Sequence, residues 1–215
     1  MDHARAVWVK AILLAAIVFA TAQPGWADAR KTVVVLGDSL AAGLGVEAGQ
    51  AYPAVLQEKI KSAGLPFTIV DAGVSGDTTA DGLSRLNWLL QRKIDVLVVE
   101  LGGNDGLRGI PIATIQSNLQ AIVERAKARY PDIKIVIAGM RMPANMGPDY
   151  VEAFAKVFSD VATKNHAALV PFLLEGVGGD PRLNQADGIH PTAEGHKIVA
   201  ENVWKTLRPV LESEK

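Results

Sequence analysis

The strongest constraint on this chain's fold is a set of five short apolar runs that show no polar–apolar alternation. They are Thr32–Leu36, Phe67–Val70, Val96–Leu101, Ile133–Ala138 and, more weakly, Ala167–Val170. A strand with one wet face alternates, so a continuous β-branched run belongs in a strand buried on both faces. Between the runs the apolar period is helical. Tyr52, Val55, Leu56 and Ile60 share one face, as do Leu83, Leu86 and Leu90. Ile112, Ile115, Leu119, Ile122 and Ala126 form a long stripe, with Pro111 at a favourable first-turn position. Val151, Phe154, Ala155, Phe158 and Ala162 form another, and the tail from Thr192 carries Val199, Val203, Leu207 and Val210. Strand and helix alternating about five times predict an α/β chain: a parallel sheet covered by helices on both faces. At 215 residues, with no internal repeat and no Pro-, Gly- or Ser-rich linker, one domain is expected.

The first residues are set apart from that domain. Arg5 and Lys10 give a basic start, Ala11–Ala20 is an uninterrupted apolar run, and small residues follow at Ala20–Ala22 and Gly25–Ala27. This is the order of a secretory signal, and the run is short for a membrane span, which needs about 20 apolar residues. Residues 1–27 are therefore expected to be a signal peptide and 28–215 the folded domain. The protein is expected to be exported, periplasmic or secreted, with no stable membrane insertion after cleavage. The formal net charge of −1 and the lack of a Lys/Arg cluster give no reason to expect nucleic-acid binding. The absence of cysteine excludes a disulfide framework, a cysteine nucleophile, an iron–sulfur site and a lipid-modified cysteine.

In a parallel sheet, ligands bind beyond the carboxyl ends of the strands. Gly37-Asp38-Ser39-Leu40 follows the first run and Asp71–Thr79 ends the second. Gly102-Gly103-Asn104-Asp105 follows the third, and Asp187-Gly188-Ile189-His190-Pro191 lies near the end of the chain. Together they hold a hydroxyl, glycine amides, a carboxamide and an Asp/His pair. A serine hydroxyl needs a base to become a nucleophile, and histidine suits that near neutral pH. An aspartate on the far ring nitrogen sets the tautomer. Fixed N–H donors can receive an oxyanion.

The histidines narrow by position. His3 lies in the leader, His166 reads as an exposed helix terminus, and His196 as a half-buried packing residue in the last helix. His190 alone follows an Asp-Gly turn and precedes a proline. Each segment taken singly is ordinary turn chemistry. Four of them in this order, three at strand exits, are hard to explain as four turns.

These blocks resemble those of the SGNH, or GDSL, hydrolases across essentially the whole mature chain. Val74–Thr79, Gly102–Gly109, and Pro143–Gly147 with Tyr150 resemble in particular the small bacterial exported acyl-CoA thioesterase/arylesterase/lysophospholipase group. The resemblance implies a three-layer α/β/α sandwich with a flavodoxin-like, five-stranded parallel sheet. It implies Ser39 as nucleophile, His190 as base and then acid, and Asp187 as orienting carboxylate. The oxyanion hole would be the backbone N–H groups of Ser39 and Gly76 and the Asn104 side chain. The substrate would be a small-molecule acyl ester or thioester, with no cofactor and no metal.

Met140, Met142, Pro143, Met146 and Tyr150 crowd one segment after the fourth run, and methionine suits a variable apolar groove. Met142, Pro143 and Met146, with Leu107 and Ile110 beyond Asn104, are the expected acyl-chain walls; the alternative is that the methionines cap the core. Met146 stands where the subgroup often has an aromatic.

Other readings compete. Gly43–Ala48 fits a dinucleotide-binding G-x-G-x-x-A with Asp71 further on, but its first glycine falls well past the strand end. An α/β-hydrolase elbow would read G-x-S-x-G, and here Ala41 takes the last position. Asp187, His190, Glu194 and His196 cluster in sequence without a zinc-site pattern. A carbohydrate O-acetylesterase of the same family and a non-catalytic exported ligand-binding protein remain alternatives. No apolar stripe lacks a core to face, so a monomer is expected.

Overall fold

The computed structural model describes residues 30–214. The expected signal peptide, residues 1–27, lies outside the described residues. The strands β1 (Lys31–Gly37), β2 (Phe67–Gly73), β3 (Val96–Glu100), β4 (Lys134–Ala138) and β5 (Ala168–Val170) form one sheet in the order β2-β1-β3-β4-β5. Every pairing is parallel. The expectation of a two-face-buried sheet holds best at its centre. All five residues of β3, and Val33–Gly37 of β1, are buried. The edge strand β2 is half-open, with Val70 exposed, and runs three residues past its expected end because Gly73 still pairs with Gly37.

The helices are α1 (Tyr52–Ser62), α2 (Thr79–Leu89), α3 (Gly103–Leu107), α4 (Ile112–Arg129), α5 (Pro148–Lys164) and α6 (Ala193–Glu212). α1 packs with α6, and α4 packs with both α2 and α5; α5 and α6 both touch β4 and β5, so the two sets cover opposite faces. This is the expected three-layer sandwich. α2 begins before its apolar face does, because Thr78 and Asp81 form a reciprocal capping box. Pro111 is the N-cap of α4, just outside the helix. Among the described residues no helix is long and apolar enough to cross a membrane.

The strand order places the site. The chain leaves β1 to reach β2 on one side, then crosses over to β3 on the other. A crevice opens at such a reversal, beyond the carboxyl ends of the two diverging strands. Ser39 follows β1, and Asn104 follows β3.

His196, expected to be half-buried, is almost wholly buried at 1 % exposure. It sits in the first turns of α6, and its Nδ1 accepts the backbone N–H of Tyr52 at the start of α1, tying the two helices together. Burial, with a smaller contribution from the nearby charge of His190, pushes its pKa down to about 4. The folded protein keeps this ring neutral, whereas the unfolded chain protonates it below about 6.5. The contribution to stability is therefore whole above pH 6.5 and drains away as pH falls toward 4. Buried carboxyls act in the opposite sense over part of that window, so a difference measurement isolates the ring. Between pH 7.5 and 5, denaturant unfolding of the wild type should lose about 2 kcal/mol more than that of His196→Gln. Parallel stability profiles would remove His196 as the cause.

Candidate active site

Ser39 lies two residues beyond β1 in a tight turn and is nearly buried. Its Oγ is 2.8 Å from His190 Nε2, and His190 Nδ1 is 2.6 Å from Asp187 Oδ2. The ionised Asp187 can only accept, so Nδ1 carries the proton and Nε2 is left to accept from the Ser39 hydroxyl. The other Asp187 oxygen accepts the N–H groups of Ile189 and His190. The His190 hydrogen bond first, and these two N–H groups next, pull the Asp187 pKa down to about 2. The carboxylate is thus charged throughout the working range. The chain brings the hydroxyl, imidazole and carboxylate into one line across 151 residues.

The loop carrying the pair is fixed from both ends. Asn184 and Pro191 form an antiparallel bridge, and Gln185 N–H donates to the His190 carbonyl at 2.7 Å. The Gln185 side chain donates to the carbonyls of Pro191 and Leu44, linking the histidine loop to the turn beyond Ser39. Asn184 donates to the carbonyls of Val177 and Asp180 beneath.

Asn104 lies in α3, a single helical turn where the sequence suggested only a loop. Its Nδ2 donates to the Asp77 carbonyl at 2.9 Å and to Asp38 Oδ2 at 3.2 Å. The backbone N–H groups of Ser39 and Gly76 donate to no other described residue. Three more side chains clamp these loops. Arg85 donates to Asp77 Oδ2 at 2.6 Å and to the Gly37 carbonyl at 3.0 Å. Asp105 accepts both the N–H and the hydroxyl of Thr79, at 2.8 and 2.6 Å. Arg108 donates to the Gly76 carbonyl. Asp38, whose Oδ1 accepts the Leu40 N–H, is buried, and that burial raises its pKa to about 6. Sequence reasoning missed Asp38, Arg85 and Asp105 as part of the site, although the two acids stand beside Ser39 and Asn104.

A cleft of about 540 Å³ opens over Ser39 and His190. Leu107, Met142 and Pro143 line it. Ile110 and Met146 do not; both are half-buried and pack against the core. Residues 144–146 wind into a 3-10 turn that carries Met146 away, and Ile110 falls beyond the end of α3. Met140, from the methionine-rich segment, also lines it, and Phe172, Leu174 and Ile189 add apolar walls that the sequence did not single out. Gly106 explains how the cleft floor closes. A methyl there would lie 2.4 Å from the Met142 sulfur, so glycine lets α3 approach the methionine.

The rival motifs are placed elsewhere. Gly43–Ala48 forms turns leading into a 3-10 turn rather than opening a helix at the β1 exit. His196 faces Tyr52 instead of joining Asp187 and His190 as a ligand.

This arrangement resembles known proteins in both sequence and shape. Residues 35–198, more than half of the chain, match the model of the GDSL-like lipase/acylhydrolase family. The chain is 46% identical over 184 residues to esterase TesA of Pseudomonas aeruginosa, covering 85% of this chain and 90% of that one. It is 38% identical over 186 residues to thioesterase 1/protease 1/lysophospholipase L1 of Escherichia coli K12, covering 86% and 87%. The crystal structure of TesA superposes with a TM-score of 0.80 at 46% identity, over 83% of this chain and 99% of that one. With its sheet order, its strand-exit blocks and these matches in agreement, the chain belongs to the GDSL-like lipase/acylhydrolase family.

Proposed function

We propose that the protein is a serine esterase that hydrolyses carboxylic esters and thioesters through an acyl-enzyme on Ser39. The observation that carries this is the Ser39–His190–Asp187 line, at 2.8 and 2.6 Å, at the floor of an apolar cleft. The names of its relatives, an esterase and a thioesterase/lysophospholipase, point the same way. Ser39 Oγ attacks the acyl carbonyl while His190 Nε2 takes its proton. Asp187 holds the ring and stabilises the imidazolium. The proton then passes to the leaving alcohol or thiol, and a water activated by His190 frees the acid.

The oxyanion forms beside Ser39, where the backbone N–H groups of Ser39 and Gly76 and the Asn104 amide are the donors. Both Asn104 N–H bonds have acceptors in the resting protein. The 3.2 Å contact to Asp38 is the longer one, and the oxyanion takes its place. The cleft walls of leucine, methionine and phenylalanine suit an acyl chain better than a sugar, which disfavours the carbohydrate esterase reading. The signal-like first residues support an exported protein, periplasmic or secreted, and we take it to act as a monomer.

The first test is hydrolysis of p-nitrophenyl esters, from acetate to palmitate, by wild type and variants. Ser39→Ala should lose on the order of 10⁶-fold in kcat, as in other serine hydrolases. Asn104→Ala should lose about 10²–10³-fold, the range for one oxyanion donor. Equal rates in wild type and Ser39→Ala would favour a non-catalytic ligand-binding protein. An Asn104→Ala effect under about threefold would take that side chain out of the hole.

The same panel tests the walls. Met142 lines the cleft and Met146 packs outside it. Met142→Ala should move the chain-length optimum toward longer or bulkier acyl groups, and Met146→Ala should leave it in place. The reverse pattern would show that the acyl chain runs past the 3-10 turn instead.

A further inference from the structure

Beneath the nucleophile turn lies a carboxyl that the reaction itself does not use. Glu100 is the last residue of β3, in register with Gly37, and has no exposed surface. Its Oε2 accepts the backbone N–H of Asp38 at 3.3 Å. The turn that carries Ser39 is thus held at its start by a side chain from the neighbouring strand. Gly37 is what admits it: a methyl at that position would lie 2.4 Å from Oε2. The glycine of the Gly-Asp-Ser-Leu block is required by Glu100 as much as by the turn.

The surroundings decide the charge of this carboxyl. Oε1 has no hydrogen-bond partner among the described residues, and neither does the buried hydroxyl of Tyr52. The titratable groups that act on Glu100 and its neighbour Asp38 are Asp38 itself, Asp71, Asp77, Asp105, Tyr52 and His190. The guanidinium that reaches this turn, Arg85, is engaged by Asp77 and the Gly37 carbonyl. A desolvated carboxylate with an acid beside it and no cation of its own is strongly disfavoured. Burial, reinforced by the charge of Asp38, accordingly pushes the Glu100 pKa well above the carboxylate range.

We propose that Glu100 is a positioning residue that works as a neutral carboxylic acid. It braces the turn that carries Ser39 and leaves the pair's one negative charge on Asp38, where it holds the Asn104 amide. The proposal rests on Ser39 being the nucleophile. The neutral oxygen accepts the Asp38 N–H and sets where Ser39 Oγ stands against His190. Ionisation of Glu100 would place a second negative charge against Asp38, so neutrality is part of the role.

The test uses the full chain with two substitutions of similar volume. Glu100→Gln keeps an oxygen acceptor and cannot ionise; Glu100→Leu keeps the bulk and cannot accept. The readouts are kcat, KM and the pH profile on p-nitrophenyl butyrate, the rate of Ser39 labelling by a phosphonate ester, and the melting temperature. Glu100→Gln should stay within about threefold of wild-type kcat with the pH profile unmoved. Glu100→Leu should lose about 10–100-fold in kcat and in labelling rate, the effect of orphaning a buried donor, with KM little changed. A purely space-filling role predicts no such split, because both variants fill the space.

Equal damage in the two variants would overturn the proposal by showing that the charge is needed, and full activity in Glu100→Leu would overturn it by showing that the contact is not. If Glu100→Leu does not fold, Glu100→Gln decides alone. Wild-type kcat and profile support the role, and a tenfold loss or a shifted profile in the folded protein overturns it. Absence of both hydrolysis and Ser39 labelling in the wild type would instead overturn the nucleophile assignment, and this proposal with it.

Discussion

A hydroxyl just beyond the end of β1 and an imidazole before α6 meet at 2.8 Å, and the hydrogen bonds of the surrounding loops hold those two groups still. The contact joins positions 151 residues apart, so it exists only because the sheet is built first. Parallel strands have all their carboxyl ends on one edge. The order β2-β1-β3-β4-β5 puts the point of reversal between β1 and β3. Ser39 and Asn104 leave that point side by side. Asp187 and His190 arrive from a loop that Gln185 and Asn184 pin to the remainder of the chain.

The site is acidic beneath the Ser39–His190 contact. Asp38, Asp77, Glu100 and Asp105 are all buried within a few residues of the strand exits. Buried carboxyls are costly unless each finds donors or gives up its charge. Asp77 has Arg85, Asp105 has two donors from Thr79, and Asp38 has Leu40 and Asn104. Glu100 has one backbone donor, no cation and an orphaned oxygen, so it gives up its charge. The result is a set of loops fixed by hydrogen bonds rather than by apolar packing alone. Fixed donors of this kind are what an oxyanion site needs, since they do not have to reorganise when charge develops.

Much of this was legible in the sequence. Continuous β-branched runs mark buried parallel strands, and all five were found within a few residues of their observed bounds. Ser39, Asp187 and His190 were readable because each stands in a short block at a predicted strand exit or helix entry, where chemistry concentrates. What failed did so for physical reasons. Gly102-Gly103-Asn104-Asp105 reads as turn chemistry, yet the chain winds into α3 there, and Gly106 within it lets Met142 approach. Ile110 and Met146 were assigned to the cleft by proximity in sequence, and local winding turned both toward the core. The Arg85–Asp77 clamp joins the loop before α2 to a residue eight positions on in that helix, a separation that no local period reveals. Glu100 did leave a signal: a lone acid inside the apolar run Val96–Leu101 is out of place in a buried strand unless something needs it.

The claim on which the account depends is that Ser39 is the one nucleophile. It is tested most directly by treating the protein with a p-nitrophenyl phosphonate ester and locating the adduct by peptide mass spectrometry. The account predicts one phosphonyl group per chain, on the peptide holding Ser39, with p-nitrophenolate released in equal amount and esterase activity lost in step. An adduct on another residue, or activity that survives complete labelling of Ser39, would contradict it.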